Sequence, residues 1–169
     1  PDTTVCECCK PSVVVKGNNV YVMFRNWLDS NRNMYLIQSH DGGINFGNAE
    51  KLGQGNWKIN GCPMDGGGIA IDDNGAIQTV WRREGKIYSA QPGLPEKEIG
   101  EGKGSTIDVI NGKPVYAWVK DGQITVTGAN GKVLILGKGI APVIKQLNEA
   151  QMICVWEYEK QIHAAIFDM

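Results

Sequence analysis

The sequence predicts an all-β fold: β-propeller blades of four-stranded antiparallel sheet, about four of them. Three observations carry that prediction. The 169 residues include 22 glycines, set between strands rich in Val, Ile, Trp and Tyr, which is the composition of strands joined by tight turns. Apolar segments that each end in an aromatic recur: Val20–Phe24, Ile77–Trp81, Val115–Trp118 and Met152–Trp156. Asn74-Gly75, Asn111-Gly112, Asp121-Gly122 and Asn130-Gly131 supply hairpin turns, and strands this closely spaced leave no room for helical crossovers.

Each recurrent strand is preceded by another, at Ser12–Lys16, Gly68–Asp72, Thr106–Ile110 and Pro142–Gln146. A third follows, at Met34–Gln38, Lys86–Ala90, Gln123–Thr127 and Gln161–Ile166. A fourth completes the first three units near Ala49–Leu52, Lys97–Ile99 and Lys132–Leu136. Four antiparallel strands in roughly forty residues make a propeller blade. The predicted division is residues 1–55, 56–100, 101–138 and an incomplete fourth blade at 139–169. The start at Pro1 predicts a processed or trimmed polypeptide.

Between the third and fourth strands of the first unit lies Ser39-His40-Asp41-Gly42-Gly43-Ile44-Asn45-Phe46. Ser39 and Asp41 beside Gly43 are suited to folding back on their own backbone, with Phe46 tucked into the sheet as a pin. This Ser-x-Asp-x-Gly-x-x-aromatic spacing resembles the Asp-box of the sialidase-like, or BNR-repeat, β-propellers. Asn45 stands where threonine is usual, and Phe46 where tryptophan is. The Cys6-Glu7-Cys8-Cys9 segment together with Trp57–Asp65 is also similar to a group of bacterial secreted members of that family with no assigned reaction. That likeness covers roughly the first ninety residues; the rest matches only the strand pattern. Sialidase-like propellers have six blades, so the resemblance implies the C-terminal portion of a larger propeller, completed by another polypeptide. A four-bladed closure is the alternative.

The Asp-box position sets the polarity of the strands. The turns after the second strands and the links between blades fall on the opposite, upper face, where the resemblance implies a binding cleft. Candidate ligand-binding residues there are Arg25, Trp27, Arg32, Trp57, Asp65, Arg82, Glu157 and Tyr158. Arg25, Arg82 and Glu157 occupy equivalent repeat positions and are expected near the propeller axis. Arginine suits a carboxylate or phosphate, because its planar fork donates parallel hydrogen bonds; pairing with a neighbouring acid is the structural alternative. Trp27 and Trp57 are the candidate sugar-stacking residues, whereas Trp81, Trp118 and Trp156 share a repeat position and read as core. No catalytic residue is assigned. Hydrolytic sialidases need three arginines, a tyrosine backed by a glutamate and a further acid, and Arg25, Arg32, Arg82 and Arg83 are the only arginines.

Cys6, Cys8, Cys9 and Cys62 all precede first strands on the upper face of neighbouring blades, and are expected to be near one another. Disulfides joining Cys62 to the Cys6–Cys9 segment are one outcome and imply an oxidising compartment. A soft-metal site is the other: Cu(I) with Met64, or zinc if four thiolates converge. Cys154 reads as a buried free thiol. Gly66-Gly67-Gly68 lacks the helix a phosphate loop requires, and Asp72-Asp73-Asn74-Gly75 is a hairpin turn rather than a calcium loop. A net charge of −1 without a basic cluster argues against a nucleic-acid footprint, and no run approaches the ~20 apolar residues of a membrane span. The expected function is a secreted, cell-surface or periplasmic module binding a glycan or a protein partner. The alternatives are part of a glycoside hydrolase and a structural subunit of a surface assembly.

Overall fold

The structure, a computed structural model, describes residues 4–169; the expectation drawn from Pro1 lies outside them. Among the described residues fifteen strands form four antiparallel sheets in chain order. The first contains β1 (Ser12–Lys16), β2 (Asn19–Arg25), β3 (Met34–Ser39) and β4 (Glu50–Lys51). The second contains β5 (Gly68–Ile71), β6 (Ile77–Arg83), β7 (Lys86–Ala90) and β8 (Lys97–Glu101). The third contains β9 (Lys103–Ile110), β10 (Lys113–Lys120), β11 (Gln123–Gly128) and β12 (Val133–Lys138). The last has three strands, β13 (Ile140–Gln146), β14 (Gln151–Tyr158) and β15 (Gln161–Asp168). Within every sheet each strand pairs with its sequence neighbour, so each is a simple meander.

The hairpins close where turn chemistry allows. Asn111-Gly112 and Asp121-Gly122 have positive φ at both residues. At 74–75 and 130–131 only the glycine does, contrary to expectation. The reason at the first is Asp72, whose carboxylate accepts from the Asn74 and Ala76 amides and shapes the turn itself.

The core lies between sheets, in three layers. Met23, Met34, Leu36 and Leu52 meet Ile69, Ile77 and Trp81 between the first and second sheets. Ala70, Val80 and Ile87 meet Ile107, Tyr116 and Trp118 between the second and third. Val115, Ala117 and Ile124 meet Ile144, Met152 and Trp156 between the third and last. The three tryptophans share a device. A Cβ added at Gly53 would strike Trp81, one at Gly100 would strike Trp118, and one at Gly139 would strike Trp156. Each indole thus lies against glycine backbone at the end of the preceding sheet, which only a missing side chain permits.

The outward faces of the first and last sheets remain apolar and exposed, with Val13 and Val15 at one end and Val143, Ile162 and Ile166 at the other. The inner strands β1, β5, β9 and β13 approach one another around an open groove. Gly66 brings the link before β5 against the Lys10 backbone, where any side chain would overlap the carbonyl.

Candidate functional site

The β2–β3 loop, the link between β4 and β5, the β6–β7 turn and the segment leading into β1 meet on one face. Backbone bonds fix them together: Cys6 donates to the Arg25 carbonyl, Trp27 to Thr4 and Arg32 to Trp57, at 2.9, 2.7 and 2.8 Å.

At the centre is Arg25, 1% exposed. Its guanidinium donates to the Asp65 carbonyl from Nε and Nη2, at 3.0 and 2.9 Å. It also donates to the carbonyls of Arg32 at 2.6 Å and Arg82 at 3.1 Å. All its partners are backbone oxygens from three separate segments. Burial pulls its pKa below the ordinary value, opposed by the nearby Cys9 and Asp65. The fork of donors expected to hold a ligand instead knits the face together. Trp57 is likewise buried, at 6%, with the Arg25 and Arg82 guanidiniums 5.2 and 5.5 Å from its ring centroid. Its expected role as an exposed stacking residue is therefore overturned: two cations occupy its surroundings. Asp65 is buried and accepts from the Gly104 amide at 2.9 Å, tying the second sheet's entry to the third's. Arg82 and Arg83 part as strand neighbours should, Arg83 lying over Tyr88 and pairing with Glu96 at 2.8 Å.

One step outward lies a cavity of about 340 Å³ lined by Trp27, Ser30, Arg32, Lys58, Ile59, Asn60 and Gly61. Trp27 is 48% exposed, and the Arg32 guanidinium sits 4.3 Å from its ring centroid. Arg32 Nε is buried without a partner among the described residues. Among the described residues no carboxylate lines this cavity. Lys58 and Asn60 are the functional candidates that sequence reasoning missed. The signal for Lys58 was alternation: beside the inward Trp57 in an extended segment, it must face outward, and Lys58 bridges Asn31 there.

The four cysteines converge as expected, all four sulfurs lying within 4.8 Å of one another. Cys8 and Cys62 form a disulfide, while Cys6 and Cys9 are free and buried. The Cys6 thiol donates to Cys9 Sγ at 3.2 Å. Burial raises the pKa of Cys9, with the hydrogen bond to Cys6 adding to the shift. Cys154 is free and fully buried in the last core layer, where burial lifts its thiol to about 11.

Glu157 and Tyr158 do not join Arg25 and Arg82, contrary to the repeat-position argument. They line a different cavity of about 500 Å³ with Asp121, Lys138 and Lys160, between the ends of the third and last sheets. The turn that carries Glu157 faces the third sheet's turn rather than those of the first and second sheets. On the opposite face, the turn after β3 is held by its own side chains. Ser39 Oγ donates to Asp41 Oδ1 at 2.6 Å and accepts from the Gly43 amide at 2.9 Å. Asp41 also accepts from the Asn45 amide and side chain, which bring its pKa down to about 2. Phe46 is 41% exposed, so the hydrogen bonds hold this turn and the aromatic does not act as a buried pin.

No family profile matches the sequence, and no curated protein matches it in sequence. Similar solved structures do exist. An α-L-arabinanase from Penicillium chrysogenum aligns with a TM-score of 0.66 at 10% identity, over 95% of this chain and 57% of that one. The α-L-arabinofuranosidase Arb93A from Fusarium graminearum aligns at 0.64 and 9% identity, over 94% and 57%. NanB sialidase from Streptococcus pneumoniae aligns at 0.56 and 12% identity, over 92% and 30%. The chain folds as β-propeller blades. It spans a little over half the length of the arabinanase and arabinofuranosidase chains it matches, and at these identities the likeness shows the fold alone.

Proposed function

We propose that this chain is the glycan-binding part of a secreted, cell-surface or periplasmic sialidase-like propeller, non-catalytic by itself, with the Trp27–Arg32–Lys58 cavity as its binding site. The observation that carries the reading is the exposed Trp27 ring stacked with Arg32 in a cavity that also holds Lys58. An indole offers a flat apolar surface to a sugar's C–H face, and two cations favour an acidic sugar's carboxylate. The described residues lining the cavity include no carboxylate of the kind glycoside hydrolysis uses in pairs. The neighbours named as arabinanase, arabinofuranosidase and sialidase support a glycan as ligand class, and the disulfide supports an oxidising compartment. The Ser39–Phe46 turn, with its reciprocal side-chain bonds, supports the Asp-box assignment.

The exposed apolar faces at Val13/Val15 and Ile162/Ile166 favour further blades packing on both ends, supplied by another polypeptide. A hydrolase completed by such blades is the second reading.

Binding to a panel of sialylated, uronic-acid-bearing and neutral oligosaccharides tests the first. Affinity is expected for an acidic glycan, weakened at least tenfold by Trp27→Ala and by Arg32→Ala with folding retained. Absence of binding to every acidic glycan at millimolar concentration refutes it. Turnover of a fluorogenic sialoside by the chain alone refutes the non-catalytic assignment.

A further inference from the structure

The cysteine cluster carries more than one disulfide. We propose that, with the Cys8–Cys62 bond reduced, Cys6, Cys8, Cys9 and Cys62 form a closed four-thiolate site for a divalent thiophilic cation of the zinc type.

The first argument is geometric. A tetrahedral zinc–thiolate centre has bonds of about 2.3 Å, which place neighbouring sulfurs about 3.8 Å apart. Cys6 Sγ lies 3.8 Å from Cys8 Sγ and 3.7 Å from Cys62 Sγ, and Cys9 Sγ lies 3.9 Å from Cys62 Sγ. Cys6 and Cys9 are closer, at 3.2 Å. Three sulfur separations thus already have the value of a tetrahedron's edge. The remaining short ones, the bonded pair included, open on reduction and metal entry.

The second argument is the protein's own electrostatics. Metal-bound thiolates are anions, and a cation is buried beside them. Arg25 makes no ion pair among the described residues; its hydrogen bonds end on carbonyl oxygens. Four thiolates around a divalent cation carry a net double negative charge, half of which this guanidinium offsets. Cys62 Sγ also accepts from the Met64 amide at 3.3 Å.

The third argument is burial. Cys6 and Cys9 are buried as a free pair, which a secreted protein does not need for a single staple. As ligands they complete a set of four.

Loading balances simply. A dithiol reductant transfers two electrons and two protons to the Cys8–Cys62 bond and leaves as its own cyclic disulfide. The incoming cation then displaces one proton from each of the four thiols. With all four positions filled by protein sulfur, the centre is structural.

The test uses the full chain, reduced with dithiothreitol, desalted under argon and titrated with Co²⁺. One equivalent is expected to bind, with the intense visible bands of tetrahedral cobalt and thiolate-to-metal charge transfer, and Zn²⁺ is expected to displace it. X-ray absorption of the zinc form should show four sulfur neighbours at about 2.3 Å. Cys6→Ser and Cys9→Ser should weaken uptake by more than the roughly 10–100-fold that outer-shell changes cost, while Cys154→Ala leaves it unchanged. If those variants misfold, the wild-type cobalt spectrum and zinc coordination decide alone. Failure of the reduced chain to take up Co²⁺, an octahedral spectrum, fewer than four sulfur neighbours, or uptake of Cu⁺ but not Zn²⁺ would each overturn the proposal. The outcome is independent of glycan binding.

Discussion

Replacing Arg25 by methionine separates a structural arginine from a ligand-binding one. Methionine keeps much of the aliphatic stem but removes every donor. The carbonyls of Asp65, Arg32 and Arg82 then lose bonds of 2.6–3.1 Å. Each buried acceptor left unpaired costs about 1–3 kcal/mol, and the lost cation–π contact with Trp57 adds about 0.5–2 kcal/mol. Relief of the buried cation's own desolvation offsets part of this. A net loss of about 3–5 kcal/mol follows, the range measured when one partner of a buried charged network is removed. At this chain length that corresponds to a fall of roughly 10 °C in Tm. Guanidinium chloride unfolding followed by tryptophan fluorescence, repeated by calorimetry, measures it. Arg32→Met is the control, because its guanidinium lies on Trp27 at the cavity and makes no hydrogen bond among the described residues; it is expected to cost about 1 kcal/mol or less. An Arg25→Met protein within about 0.5 kcal/mol of its parent, but defective in glycan binding, would refute the assignment and return Arg25 to the ligand site.

Three further outcomes are expected. Metal-free protein handled in air and unfolded without reductant should show three titratable thiols, Cys6, Cys9 and Cys154, and Cys154 should resist iodoacetamide at pH 8 until the chain unfolds. Because the folded pKa of Asp41, about 2, lies below its ordinary 3.8, its support of the turn is complete above about pH 4 and lost as pH falls through 2. Amide exchange at Gly43 and Asn45 should accelerate over that window, and Asp41→Asn should abolish the response; titration of Asp41 near 4 would contradict it. Gly100→Ala places a methyl group into the Trp118 ring and should cost about 1–3 kcal/mol by overpacking, read as a lower midpoint of denaturation.

The blades were legible because every level of the sequence agreed. In the last sheet, alternation, the aromatic at Trp156 and the spacing of turns all point to the same meander, and β13–β15 form where those signals place them. The packing of glycine against tryptophan was less accessible, since Gly139 lies in the link before β13 and meets Trp156 of β14 only once those strands pair. The upper-face residues were legible as a set of segments, because strand polarity orders the loops. Their burial was not. Arg25 and Trp57 carry the residue types of a carbohydrate site, and only the carbonyls of Asp65, Arg32 and Arg82 decide that Arg25 faces inward. Backbone acceptors have no sequence signature. Glu157 failed for a different reason: equivalence in a repeat fixes a position within a blade, and its turn opens on the third sheet's turn although the inner strands of the first and last sheets share a groove.

The upper face reads as two shells with one mechanical origin. Arg25 and Trp57 are buried so that the link between β4 and β5 is held against the β2–β3 loop. Strand alternation from the buried Trp57 then puts Lys58 outward, into the cavity with Trp27 and Arg32. The same link ends its run along the cavity at Gly61 and continues directly into Cys62, which anchors it to the Cys6–Cys9 segment. Whatever holds Cys62, a single disulfide or four sulfurs around a cation, therefore fixes one wall of the proposed glycan site at its far end. A ligand cavity built on a loop needs such anchoring, because a loop free to move loses the orientation its cations require. The buried arginine and the cysteine cluster supply it from two sides.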